Sequence, residues 1–164
     1  MNTPATRTSS NLPATQSPGE IMETVLIKGD LSKLTADERM SYYKAVCESV
    51  GLNTLTKPFE YITLNGKLQL YALKGCTDQL RSIHDISVTE LTKETIDGVH
   101  IVTAKVQNGK GRTDADIGAV NIAGLKGEVF ANAIMKASTK AKRRATLSIC
   151  GLGMLDETDR KSVV

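Results

Sequence analysis

A chain of 164 residues that is 40% hydrophobic and 24% charged is sized for one globular domain with a flexible end; it excludes a wholly disordered chain and a second full domain. No stretch approaches the roughly 18 consecutive apolar residues of a membrane span, and the polar N-terminus lacks a signal peptide's basic-then-apolar order, so the cytoplasm is the expected compartment. A formal net charge of +3 is too small to mark a nucleic-acid binder, so the distribution of charge has to carry that argument.

Residues 1–24 are rich in Thr, Ser, Pro and Asn and lack apolar periodicity, which predicts a disordered tail. Thr35 then precedes Glu38 at capping-box spacing, and Met40, Tyr43, Cys47 and Val50 recur on one face, predicting a helix over about 36–50 ended by Gly51. Leu52 to Pro58 reads as a loop, because proline disfavours helix before it and lacks a ladder donor. Residues 59–64 and 67–72 are strand-like and flank Asn65-Gly66, a pair suited to a type I′ hairpin turn.

That two-residue turn pairs Leu64 with Lys67. It places Phe59, Tyr61, Thr63, Leu68, Leu70 and Ala72 on a core face. The opposite face mixes Glu60, Lys67 and Gln69 with Ile62, Leu64 and Tyr71, apolar enough to call for a partial cover. A short helix over 76–84 follows, with Leu80 and Ile83 inward. Strands over 86–95, 99–107 and 113–122, joined by Asp97-Gly98 and by Asn108-Gly109-Lys110-Gly111, predict a three-stranded antiparallel meander. A long helix from Gly127 to about Ile149 ends at Gly151 and Gly153. The fold class is α+β: N-terminal helix, β-hairpin, short helix, three-stranded antiparallel meander and long C-terminal basic helix.

The last helix carries the densest charge. At about 100° per residue, Lys136, Lys140 and Arg143 fall in one stripe with Arg144 at its edge, roughly opposite Phe130, Ile134, Ala137, Ala141, Ala145 and Ile149. Residues 136–144 hold five cations, Lys142 included, and no acid, so no i,i+4 ion pair relieves their repulsion. Cations one turn apart match the spacing of phosphates along a single strand; a merely solvated basic face is the other reading of such a run. Lys67, Lys74, Arg81, Lys110 and Arg112 are candidates for an opposite groove wall, or else scattered surface charge.

Catalytic chemistry finds little footing. Two histidines and three separated cysteines, Cys47, Cys76 and Cys150, supply neither a zinc cluster nor a disulfide framework, and the thiols are read as reduced and mostly buried. His84 and His100 are read as surface or half-buried residues. The Gly109–Thr113 stretch is not a phosphate-binding loop. Asp114 and Asp116 alternate on a strand and would hold Mg²⁺ only with further ligands, so no cofactor is expected. Aromatic residues are too few for a base-stacking platform; Tyr71 is the one candidate stacker, with cross-strand packing the alternative.

The run Gly51-Leu52-Asn53-Thr54-Leu55-Thr56-Lys57, followed by the hairpin and by Thr77-Asp78-Gln79-Leu80-Arg81-Ser82-Ile83, resembles a block of the phage Red-beta/RecT family of single-strand annealing proteins. A second block, Lys140-Ala141-Lys142-Arg143-Arg144-Ala145 through Cys150-Gly151-Leu152-Gly153-Met154-Leu155-Asp156, is similar to that family's basic helix, glycine-containing turn and acidic tail. The similarity spans about residues 31–160. Thr54 stands where the family commonly has proline. Longer family members also continue into a partner-recruiting module after the point where this chain ends.

The resemblance implies a non-enzymatic, ATP-independent protein of homologous recombination and repair. It would bind single-stranded DNA and the annealed duplex intermediate, and oligomerise into a ring or helical filament. Lys136, Lys140, Lys142, Arg143 and Arg144 would grip phosphates, with Arg81, Lys67, Lys74 and Arg112 as further DNA-binding residues. A phage exonuclease or a host single-strand-binding protein is a conceivable partner that this chain's residues do not specify. The alternatives are a single-strand protector that does not pair strands, and an assembly protein whose basic helix docks an acidic partner.

Overall fold

The computed structural model describes residues 17–156. In chain order the elements are helix α1 (Pro18–Met22), continued by a π-helical turn (Glu23–Ile27), then α2 (Ala36–Ser49), strands β1 (Phe59–Leu64) and β2 (Lys67–Ala72), and α3 (Lys74–Ile83). The meander β3 (Ser87–Ile96), β4 (Val99–Gln107) and β5 (Thr113–Asn121) follows, then α4 (Gly127–Ile149) and a short β6 (Leu155–Asp156). The fold is α+β, as the hydrophobic periodicity requires.

The hairpin register is the one that the turn dictates. Leu64 pairs with Lys67 and Phe59 with Ala72, and Asn65 and Gly66 have φ of 51° and 74°, the left-handed pair of a type I′ turn. β6 runs parallel to β2, opposing Tyr71 and Ala72, and Tyr71 is buried at 2% exposure. β6 extends the sheet in its own plane, and the burial of Tyr71 shows that the outer hairpin face is partly covered, with Tyr71 a packing residue. Its hydroxyl donates to Glu60 Oε2 at 2.7 Å.

Two cores form on either side of the C-terminal half of α4. One joins Tyr43 and Cys47 of α2, Phe59 and Ala72 of the hairpin, Cys76 and Leu80 of α3, and Leu147. The other joins Val102, Ala104 and Val106 of β4 to Ala137, Ala141, Ala145 and Ile149 along one seam of α4. A fully buried Phe, Leu or Val contributes about 1.5–3 kcal/mol through removal from water. The alanine seam brings the helix backbone close to the sheet: a Cβ on Gly118 of β5 would lie 2.3 Å from the Ala137 carbonyl oxygen. Only glycine fits there.

A smaller cluster of Val25, Leu31 and Leu34 packs on Leu68 and Leu70 at the hairpin. Ile21 packs against it, which orders part of the stretch that composition predicts to be a disordered tail. Ser17 accepts from the Glu20 amide while Glu20 Oε2 accepts from the Ser17 amide, a capping box with Pro18 in the first helical position. Residues 18–24 are thus helical; residues 1–16 of the expected tail, and 157–160 of the expected core, lie outside the described residues.

Two further expectations are corrected. Met40 is 61% exposed and Ile83 47% exposed; the inward face of α2 is set by Tyr43 and Cys47, and that of α3 by Cys76, Thr77 and Leu80. In β3 the register shifts between Val88 and Glu90. Such a bulge twists an edge strand away from indiscriminate pairing.

Candidate nucleic-acid interface

In α4 the expected stripe of Lys136, Lys140 and Arg143, with Arg144 at its edge, does not form as the projection predicts. Successive residues four apart advance about 40°, so Lys136, Lys140, Arg144 and Ser148 trace one gently winding line along the flank that faces β5. Lys142 lies about 160° round the helix from Lys140. It is near Thr146, whose hydroxyl donates to the Lys142 carbonyl at 2.7 Å.

Arg143 is the clearest departure. It shares the azimuth of Lys136, yet is only 5% exposed, along with Thr146 and Leu147. The last two turns of α4 are covered on two sides, since the hairpin-side core takes Leu147 and the meander-side core takes Ala145 and Ile149. A direction that faces solvent early in the helix faces protein at its end. Arg143 is therefore not part of an exposed stripe.

Arg144 has an acid of the same chain beside it. Its Nε lies 3.5 Å from Asp116 Oδ1, and one residue pair further along Ser148 donates to Asp114 Oδ2 at 2.6 Å. Opposite Asp114, Asp116 and Gly118 on β4 stand Val106, Ala104 and Val102, all buried beneath α4. Period two thus turns both carboxylates toward the helix rather than to solvent. The Ser148 hydroxyl, then the Ala115 amide, hold the Asp114 carboxyl below the usual carboxylate range. These acids fasten α4 to β5, and among the described residues no group of three or more metal-ligating side chains forms.

Lys136 is exposed and Lys140 half-buried, with the Lys140 Cβ close above Gly118. Among the described residues neither has a carboxylate within 4.0 Å, and the same holds for Lys142. Beyond α4, Arg81 donates to Thr146 Oγ1 at 3.0 Å and pairs with Asp78, which also holds Lys74 at 2.7 Å. Arg81 is thereby brought to the Lys142 side of α4, but as a tether between α3 and α4. Lys74 remains 66% exposed in its side chain.

Lys67 and Arg112 are exposed but sit elsewhere. Lys67 lies at the hairpin tip, where Leu68 is held by the Leu31 amide and the Asp30 carboxylate. Arg112 and Lys110 lie in the meander turn, whose backbone amides bind Asn108 Oδ1 at 3.0 Å each. That turn docks on the end of α3 through the Gly109 amide and the His84 carbonyl. The structure thus brings together Lys136, Lys140 and Arg144, and does not add Lys67 or Arg112 to them.

The line of cations leads into a cleft of about 330 Å³ lined by Asp116, Arg144, Leu147, Ser148 and residues 151–154. No aromatic residue is exposed as an open stacking platform: all six Tyr and Phe residues are buried or half-buried. His84 is exposed, whereas His100 is buried rather than superficial, its Nδ1 3.2 Å from Thr95 Oγ1. No protein-family model matches this chain, and no curated protein does either.

Proposed function

We propose that this protein binds single-stranded DNA by its phosphates and pairs complementary strands without ATP, acting as an oligomer in recombination or repair. The observation that carries the reading is the pair Lys136 and Lys140. They stand one turn apart, about 6 Å along the axis, on a helix locked to its sheet by an alanine seam, with no carboxylate partner among the described residues. Unrelieved like charge on a rigid support favours a polyanion.

That no Tyr or Phe is fully exposed supports annealing over protection. A phosphate grip without base stacking leaves base edges free to test complementarity, whereas a coating protein gains affinity from stacking. For self-association, the outer face of the meander offers Ile96 and Ile117, about half exposed, beside half-buried Val99 and Ile101. This is a more open apolar surface than the hairpin face. Among the described residues no helix is long and apolar enough to cross a membrane.

The test uses Lys136→Gln with Lys140→Gln, both outside the covered end of α4. Oligonucleotide affinity should fall for all sequences, and the log–log salt dependence should flatten by about 1.4 for two lost phosphate contacts. Complementary strands mixed with the unaltered protein should pair faster than alone. Slower pairing would assign a protector, and absence of oligonucleotide binding at low salt would point to a protein partner instead.

A further inference from the structure

The third cation in the Lys136–Lys140–Arg144 line differs from the first two in having an acid beside it. The contact is a single one, Arg144 Nε to Asp116 Oδ1 at 3.5 Å, longer than a charge-assisted hydrogen bond. Asp116 Oδ1 is already engaged by the Ile117 amide at 2.7 Å. The η nitrogens of Arg144 have no partner among the described residues. Both side chains are partly open, 42% for Arg144 and 27% for Asp116, and both line the cleft at the end of α4. A partly exposed guanidinium with one long contact, lining a cleft, is placed to take an oxyanion.

We infer that this cleft is a phosphodiester subsite, closed in the free protein by Asp116, and that a bound strand displaces Asp116 from Arg144. The inference rests on the single-strand-binding reading above and adds a residue that opposes binding. A phosphate at Arg144 would lie one helical turn from Lys140 and so between two cations. The negative end of the α4 dipole confines it to the Lys140 side of the cleft. Asp116 then acts as an internal competitor. It weakens the grip on each phosphate at this position, which suits a protein that must release its annealed product.

The experiment is a double-mutant cycle on the full chain, read as affinity for a single-stranded oligonucleotide at about 0.1 M salt, where surface charges still interact over about 10 Å. Asp116→Asn keeps the oxygen that accepts from Ile117 while removing the charge. It should bind roughly two- to fivefold more tightly, the worth of one exposed ion pair, and steepen the salt dependence by up to about 0.7. Arg144→Gln should weaken binding, and Asp116→Asn should add nothing in its presence. Asp37→Asn, which removes an exposed acid from α2, controls for net charge alone, and urea midpoints confirm that each variant folds.

A gain from Asp116→Asn no larger than that from Asp37→Asn, or one that survives Arg144→Gln, overturns the inference and leaves the strand-binding reading intact. No binding by the unaltered protein removes that reading itself. Displacement of the oligonucleotide by inorganic phosphate at fixed ionic strength, abolished by Arg144→Gln, would make the cleft a free-phosphate site and overturn its assignment to a strand.

Discussion

Gly118 of β5 and Ala137 of α4 approach so closely that a methyl group on the glycine would sit 2.3 Å from the alanine's carbonyl oxygen, and 2.5 Å from the Ala141 amide nitrogen. Both neighbours are helix backbone, which cannot rotate aside. Gly118→Ala should therefore lift α4 from the meander and lower stability by about 2–3 kcal/mol, the scale of an overpacked core. Urea denaturation measures this; an unchanged midpoint would mean that the helix rides higher than described. Because Lys140 sits above the same glycine, the variant should also weaken oligonucleotide binding.

Tyr43 pins α2 to the open edge of the hairpin. Its hydroxyl donates to the Phe59 carbonyl at 2.8 Å and accepts from the Phe59 amide at 3.1 Å, two groups that β1, as an edge strand, has no neighbouring strand to satisfy. Tyr43→Phe preserves the ring packing and leaves both groups buried without that partner. A loss of about 2–3 kcal/mol is expected. A loss within error of zero would show that water replaces the hydroxyl.

Acid should loosen the β5–α4 attachment. The Ser148 hydroxyl lowers the Asp114 carboxyl below its ordinary value, so the folded state binds this proton less readily than the unfolded chain. The resulting stabilisation is complete above about pH 4 and is lost as pH falls through the lowered value. The unaltered protein should lose stability on acidification more steeply than Asp114→Asn. Parallel pH profiles of the urea midpoint would rule this out.

The thiols should be protected in order of burial. Cys47 and Cys76 are fully buried, and burial pushes the Cys76 thiol up to about 12; Cys150, half-buried, is raised in the same direction by burial. Thiolate is the reactive form. An aromatic disulfide reagent should modify Cys150 first, and Cys47 and Cys76 only at the rate of unfolding. Native-state modification of Cys76 at the pace of a free thiol would contradict the packing.

Regular local chemistry made most of the fold legible. Asn65-Gly66 fixed a register that holds at every pair from Leu64–Lys67 to Phe59–Ala72, and the Thr35–Glu38 box set the start of α2. The same box at Ser17 and Glu20 announces α1, but so short a helix persists only because Val25, Leu31 and Leu34 bury against the hairpin, a contact that no local pattern reveals. The site was legible in part. Projection finds Lys136 and Lys140 because that stretch of α4 rests on one sheet. It fails at Arg143, where a second core closes over the helix, and at Arg144, whose acid comes from β5, 28 residues earlier in the chain. The alternation of Asp114, Asp116 and Gly118 on one strand face held that information, although it reads equally as solvent-exposed polarity.

The two cores meet at the end of α4, and that helix follows both the hairpin and the meander in the chain. During synthesis, hairpin and meander leave the ribosome before the segment that unites them, each with an unfinished apolar face. Their union awaits residues 141–149, and the hairpin sheet gains its third strand only with Leu155 and Asp156. Nascent chains halted ahead of that point should be held by chaperones and cut readily by proteases, with resistance arriving once α4 and β6 have emerged.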